Sequence, residues 1–139
     1  MTVAYLALGA NVGDRARNLA EARRGLAERG VRILRESAVR ETEPFGVTDQ
    51  PRFLNQVVEV EWRGGPRELL DATRAVEAAV GRTPTYRWGP REIDVDILLF
   101  GDESVSEPDL AIPHPGLWER DFVLEPLGEL RPDLVERPR

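Results

Sequence analysis

The sequence predicts an α+β fold of the ferredoxin-like kind, β-α-β-β-α-β, in which an antiparallel sheet carries both helices on one face and a C-terminal extension follows. Three observations carry the prediction. Two stretches with apolar residues at helical spacing, each closed by glycine, alternate with four extended stretches in that order. Residues 55–62 alternate apolar and acidic side chains as a half-buried strand does. The 139 residues suffice for one core and not for two, so residues 1–139 are expected to form a single domain.

Residues 2–8 read as a buried first strand, ended by the turn Gly9-Ala10-Asn11-Val12-Gly13. Asp14 then caps a helix that runs through Arg29, with Leu19, Ala22 and Leu26 on one face and Gly30 as its stop. Residues 31–42 are mostly extended, and a loop containing Pro and Gly covers 43–53. In the next strand Val58, Val60 and Trp62 share one face, and Glu59 and Glu61 the other. Gly64-Gly65-Pro66 opens a second helix, with Pro66 at its first position and Gly81 just past its end. Its inward stripe is Leu69, Thr73, Val76 and Val80, and Glu77 flanks that stripe at the edge of a cleft. Residues 92–100 form the fourth strand. The extension adds a Gly-Asp turn, a short extended piece around 110–113 and a helix over 121–130.

Composition removes whole classes of function. With no Cys there is no disulfide, thiolate zinc site, iron–sulfur cluster or Cys nucleophile. All nineteen basic residues are Arg, so no Lys can cradle phosphates in a P-loop or form a Schiff base. The single His, His114, forbids a His-His zinc site, although a Ser-His-Asp arrangement stays formally open. Any cation is therefore expected on carboxylates, which suits Mg²⁺. A net charge of −6 argues against a nucleic-acid-coating surface. No apolar run is long enough for a membrane span and no basic segment precedes the first strand, so a cytoplasmic protein is expected.

The charge is nonetheless uneven. Residues 82–91 contain Arg82, Arg87 and Arg91 and no acid, a positive loop on an acidic body. Three residues after it begins Asp94-Val95-Asp96, whose carboxylates a strand projects to the same side. Their mutual repulsion is economical only with a metal or Arg nearby. Two acids on a solvated strand face are often no more than that, but beside Arg82 and Arg91 they describe a clamp for a nucleotide triphosphate. Trp88 lies in the same loop, either folded over the domain edge or acting as a lid. His114 is presented between Pro113 and Pro115, where a loop His is commonly just hydrogen-bonded but can also touch a phosphate. Phe53 and Phe122 read as core residues or as a pair of rings sandwiching a planar heterocycle. The Gly9–Gly13 turn lacks the spacing of a phosphate-binding loop and reads as structural.

The run Arg87-Trp88-Gly89-Pro90-Arg91-Glu92-Ile93-Asp94-Val95-Asp96-Ile97-Leu98 resembles the signature of the 6-hydroxymethyl-7,8-dihydropterin pyrophosphokinases of folate biosynthesis. Similar in the same order are residues 7–14, Glu41-Thr42-Glu43-Pro44-Phe45-Gly46, Phe53-Leu54-Asn55-Gln56-Val57-Val58, and Ile112-Pro113-His114-Pro115 followed by Arg120-Asp121-Phe122. The resemblance implies Mg²⁺-dependent transfer of diphosphate from ATP to the hydroxymethyl oxygen of the pterin, leaving AMP. It implies that Asp94 and Asp96 hold two Mg²⁺ ions and that Arg82 and Arg91 neutralise the transferred group, assisted by His114 and Arg120. It places Phe53 and Phe122 on the pterin face, Asn55 and the backbone from Thr42 through Pro44 to Phe45 at its edge, and Trp88 over it. Asp94 also borders the pterin, while Glu77 and the backbone of Ile97 fall at the nucleoside. The partners implied are these two small molecules, with no nucleic acid or membrane, and the chain is expected to be a monomer.

The sequence departs from the family at several positions. Pro84 stands where another basic residue is common, and the Arg loop is about a residue short. Phe53 replaces a frequent Tyr, Ala111 replaces a hydroxyl residue, and the chain stops earlier than many relatives, which implies that a terminal element is absent. Two rival readings remain on residues alone. A non-catalytic ferredoxin-like module binding RNA or a small effector would want basic and aromatic residues on its strands, where Glu59 and Glu61 stand. A metal-dependent phosphohydrolase would use the same Asp pair on water.

Overall fold

The computed structural model describes residues 1–43, 52–81 and 92–135. Strand β1 (Thr2–Ala10) leads into helix α1 (Arg15–Glu28), followed by β2 (Arg32–Glu36), β3 (Arg40–Thr42) and β4 (Phe53–Trp62). Helix α2 (Pro66–Val80) and strand β5 (Asp94–Phe100) complete the expected order. The extension forms a hairpin of β6 (Val105–Glu107) and β7 (Leu110–Ile112), then helices α3 (Asp121–Leu130) and α4 (Pro132–Val135). Sheet order is β2-β4-β1-β5, with β3 also on β4 and every pairing antiparallel. This is the ferredoxin-like arrangement.

Helices α1 and α2 start where local chemistry dictates. The Asp14 carboxylate accepts from the Arg17 N–H at 3.1 Å, which satisfies one of the donors that a helix start leaves open. In α2 the Glu68 carboxylate reaches back to the Gly65 N–H at 2.7 Å and Pro66 occupies the first turn. Leu69, Ala72, Thr73 and Val76 form its buried stripe. Val80, expected in that stripe, is only partly buried, because α2 ends there.

The central strand β1 shows why alternation matters. Ala4, Leu6, Leu8 and Ala10 join Val58, Val60, Val95 and Ile97 in the core beneath α1 and α2. Tyr5 points to the opposite face, where it meets Val57, Leu98 and residues of α3. The sheet thus has a second, smaller core under α3, so the extension is a third layer and not an appendage. β1 runs two residues beyond the expected end because Gly9 and Ala10 still pair with Asn55 and Leu54.

Two irregularities shape the rest. The extended stretch 31–42 is broken where the Ser37 hydroxyl takes a place in the ladder, accepting from the Val57 N–H at 2.9 Å. In β5, Ile97 pairs with Leu6 but Leu99 pairs with Tyr5, so Leu98 is a bulge residue. Leu98 and Leu99 both meet the α3-side core, and Phe100 returns to the other.

Candidate functional site

On the α3 side of the sheet, Asp96 stands opposite Ala7 and Asp94 opposite Gly9, while Gly9 on its other flank faces Asn55. Two small residues of β1, Ala7 and Gly9, therefore lie beside the acids of β5, with Gly9 between Asp94 and the amide of Asn55. A cleft opens over them, walled by Phe53, Asn55, Asp94, Asp96, His114, Arg120 and Phe122, with Glu43, Leu98 and Val123 completing it. Alternation explains the acids. Ile93, Val95 and Ile97 are buried toward α1 and α2, which leaves Asp94 and Asp96 half-exposed on the cleft side.

The bulge at Leu98 connects this wall to the extension. Its carbonyl accepts from the His114 N–H at 3.0 Å, which seats the segment after β7 beside the Asp pair. The His114 Nδ1 accepts from the Gly116 N–H at 3.0 Å, so in the neutral ring the proton sits on Nε2. Burial, and then the positive charge of Arg120, hold the His114 pKa below its ordinary value, while Asp94 acts in the opposite sense. Arg120 sits just before α3, and its guanidinium lies 5.9 Å from the Phe122 ring centre. A side chain at position 116 would meet it, since a Cβ there would lie 2.6 Å from the Arg120 Nε.

At the opposite end, Asn55 is 8% exposed and donates its amide N–H to the Thr42 hydroxyl. Phe53 and Phe122 are half-buried and line the cleft from β4 and α3. Gly9 is required beside Asn55 and Phe53: a Cβ there would stand 2.9 Å from Asn55 Oδ1 and 3.5 Å from the Phe53 ring.

The geometry thus gathers Asp94, Asp96, Phe53, Asn55, His114, Arg120 and Phe122 at one cleft, with Thr42 bonded to Asn55 behind it. Glu77 and Ile97 are not among its lining residues. The Glu77 carboxylate accepts from the Val95 N–H at 2.8 Å on the outer edge of β5, and the Ile97 side chain is buried under the helices. Arg82, Trp88, Arg91, Pro44 and Phe45 lie outside the described residues. Reading the sequence missed Ala7, Gly9 and Glu43. The signal for the first two was present, because alternation from Leu6 and Leu8 puts a small residue on the acidic side twice in succession.

Among the described residues no group of three or more His, Asp or Glu side chains could hold a metal ion by itself. Two carboxylates without a full protein cage fit Mg²⁺, which keeps water and takes the rest of its oxygens from bound phosphate.

The family model for 7,8-dihydro-6-hydroxymethylpterin-pyrophosphokinase (HPPK) matches residues 5–132. The chain is 47% identical over 136 residues to the 2-amino-4-hydroxy-6-hydroxymethyldihydropteridine pyrophosphokinase of Methylorubrum extorquens, covering 97% of this chain and 86% of that protein. It is 45% identical over 129 residues to the Bacillus subtilis protein of the same name, covering 92% and 77%. Identity to the mitochondrial folate synthesis bifunctional protein of Pisum sativum is 47% over 125 residues, or 90% of this chain, but the match spans only 24% of that longer protein. The fold is shared with the wild-type Plasmodium falciparum HPPK-DHPS crystallised with SDX-DHP, at a TM-score of 0.71 and 18% identity over 96% of this chain and 40% of that one. An HPPK-DHPS in complex with substrates aligns at a TM-score of 0.75 and 14% identity, over 94% of this chain and 40% of the other. A match from Tyr5 to Pro132, with bacterial relatives near half identical over most of both chains, leads to one conclusion: the chain belongs to the 7,8-dihydro-6-hydroxymethylpterin-pyrophosphokinase family.

Proposed function

We propose that residues 1–139 act as one pyrophosphokinase domain, transferring diphosphate from ATP to the hydroxymethyl oxygen of 6-hydroxymethyl-7,8-dihydropterin and releasing AMP. The observation that carries the reading is the Asp94 and Asp96 pair on one wall of a cleft that Phe53, Asn55, Phe122, His114 and Arg120 also line. That layout offers a flat apolar slot with a hydrogen-bonding end beside a site for charged oxygens.

In this reading Asp94 and Asp96 would hold two Mg²⁺ ions, which would supply positive charge against the phosphates of ATP. The His114 Nε2–H donates to a phosphate oxygen without adding a full charge, and Arg120 adds one. Arg82 and Arg91 neutralise the transferred group, and Trp88 closes over the pterin. Phe53 and Phe122 stack on its two faces. Asn55 and the backbone from Thr42 through Pro44 to Phe45 read its edge. Glu77 and the Ile97 backbone, both on β5's outer edge, face the nucleoside; the N–H groups of Val95 and Ile97 point the same way along that edge. The hydroxymethyl oxygen attacks the β-phosphorus in line, the bond from that phosphorus to the oxygen bridging to the α-phosphate breaks, AMP leaves with that oxygen, and the alcohol proton passes to solvent as the new bond forms. Holding two substrates in that alignment supplies much of the acceleration, so no side-chain nucleophile is needed.

Among the described residues no helix is long and apolar enough to cross a membrane, and the reading places the chain in the cytoplasm as a monomer acting on small molecules. Incubation with ATP, Mg²⁺ and the pterin is expected to yield AMP only when the pterin is present. AMP at an equal rate without it would mean hydrolysis, and no AMP in either case would mean a binding module.

A further inference from the structure

Phe122 reaches the cleft from α3, and Asn55 from β4, so the width of the slot depends on how α3 sits on the sheet. Apolar contacts from Val123, Leu124, Leu127 and Leu130 bury α3, but the hydrophobic effect is non-directional and does not by itself fix a helix along its axis. Side-chain bonds supply direction: Arg35 donates to the Leu130 carbonyl at the end of α3, at 2.9 Å, and Arg40 holds the turns before it. Arg40 extends from β3 with Nη1 3.1 Å from Glu125 Oε2 and Nη2 3.2 Å from Glu129 Oε1. Glu125 and Glu129 are one helical turn apart on the same face, so the guanidinium fork spans that turn. The second Glu129 oxygen accepts from the Ala38 N–H at 2.9 Å.

The backbone of the same Arg40 pairs with Asn55, and Thr42, two residues on in β3, accepts from the Asn55 amide. Resting on the pterin reading above, we infer that Arg40 is a positioning residue that fixes Phe122 of α3 against Asn55 and Thr42, and so sets the fit of the slot for the heterocycle. Its ion pairs are exposed, a setting in which pairs contribute little to overall stability. Their effect is geometric, through the directional bonds that charged groups make.

The test compares wild type with Arg40→Gln, Arg40→Lys and Glu129→Gln. The control is Arg67→Gln, which breaks a similar Arg clamp between α2 and the β6–β7 hairpin, away from the slot. Steady-state kinetics with the pterin and ATP varied separately, and thermal melting, are read together. Arg40→Gln should raise the pterin KM roughly three- to tenfold while the ATP KM and kcat stay within about twofold, the size expected when coupling through a network is lost. Glu129→Gln should shift it in the same direction from the helix side, Arg40→Lys should recover part of the loss, and Arg67→Gln should leave both KM values alone. An unchanged pterin KM in Arg40→Gln, or an equal shift for ATP or in Arg67→Gln, overturns the assignment of Arg40. Wild type without pterin-dependent turnover overturns the pterin reading itself, and the assignment with it.

Discussion

At the scale of single residues, the cleft is made as much by what is missing from β1 as by what β5 supplies. Asp94 and Asp96 face Gly9 and Ala7, and only glycine leaves the Asn55 amide in place. Gly9→Ala should therefore weaken pterin binding about tenfold through displacement of Asn55, measurable by titration calorimetry, with the melting temperature nearly kept. Asp96→Asn removes a charged oxygen donor without changing shape. Turnover should fall by more than about a hundredfold while circular dichroism and melting remain those of wild type. Near-normal turnover in that variant would dismiss Asp96 as a metal ligand. The acids were legible in the sequence because strand alternation is local, whereas Phe53 and Phe122 read as well as core residues and were set at the cleft only by the family resemblance. Glu43 was not, since its place at the cleft depends on the pairing of β3 with β4, which chain spacing does not show.

Among the elements, those whose borders are set by neighbours in the chain were the ones that could be read. Asp14, Pro66 and Gly81 mark helix ends by capping and by proline's missing N–H, and α1 and α2 end where those residues place them. Asp14→Ala should cost about 1 kcal/mol in urea unfolding, with no change in the pterin KM. A stability loss well above about 2 kcal/mol would point to a role for Asp14 beyond the cap. Borders set by distant partners were hidden. The interruption between β2 and β3 comes from the Ser37 hydroxyl bonding Val57, twenty residues away. The Leu98 bulge is likewise a property of the β1 pairing, yet it is what seats His114 beside the acids.

For the molecule as a whole, one cluster ties the layers together. The Tyr5 hydroxyl donates to Glu59, Arg35 donates to both Glu59 oxygens at 3.0 and 2.8 Å and to the Leu130 carbonyl at 2.9 Å, and Arg131 lies over the Tyr5 ring. The Arg35 bonds hold the Glu59 pKa below its ordinary 4.5, helped by Tyr5 and opposed by burial. The unfolded chain therefore binds this proton more readily than the folded one. The stabilisation is complete above about pH 4.5 and declines as pH falls through the lower folded value. Tyr5, raised above its ordinary 10.0 by burial and by Glu59, contributes below that pH and loses its contribution as pH rises through the higher folded value. The melting difference between wild type and Glu59→Gln should accordingly hold steady from about pH 6 to 8 and shrink below about pH 4.5. A difference that persisted undiminished to pH 3 would assign the effect to shape and not to charge.

The unequal depth of the two cores bears on motion. Among the described residues, the core that α1 and α2 share with the sheet holds nineteen buried residues, and the one that includes α3 holds seven, three of them α3's own, so α3 has less to lose by lifting away. Amide exchange should open in α3 before it reaches β1 or α2, as it does in units of lower local stability. The wall that bears Phe122 would then be a looser panel than the one under α1 and α2, a natural doorway for a flat ring that must enter, react and depart once per turnover.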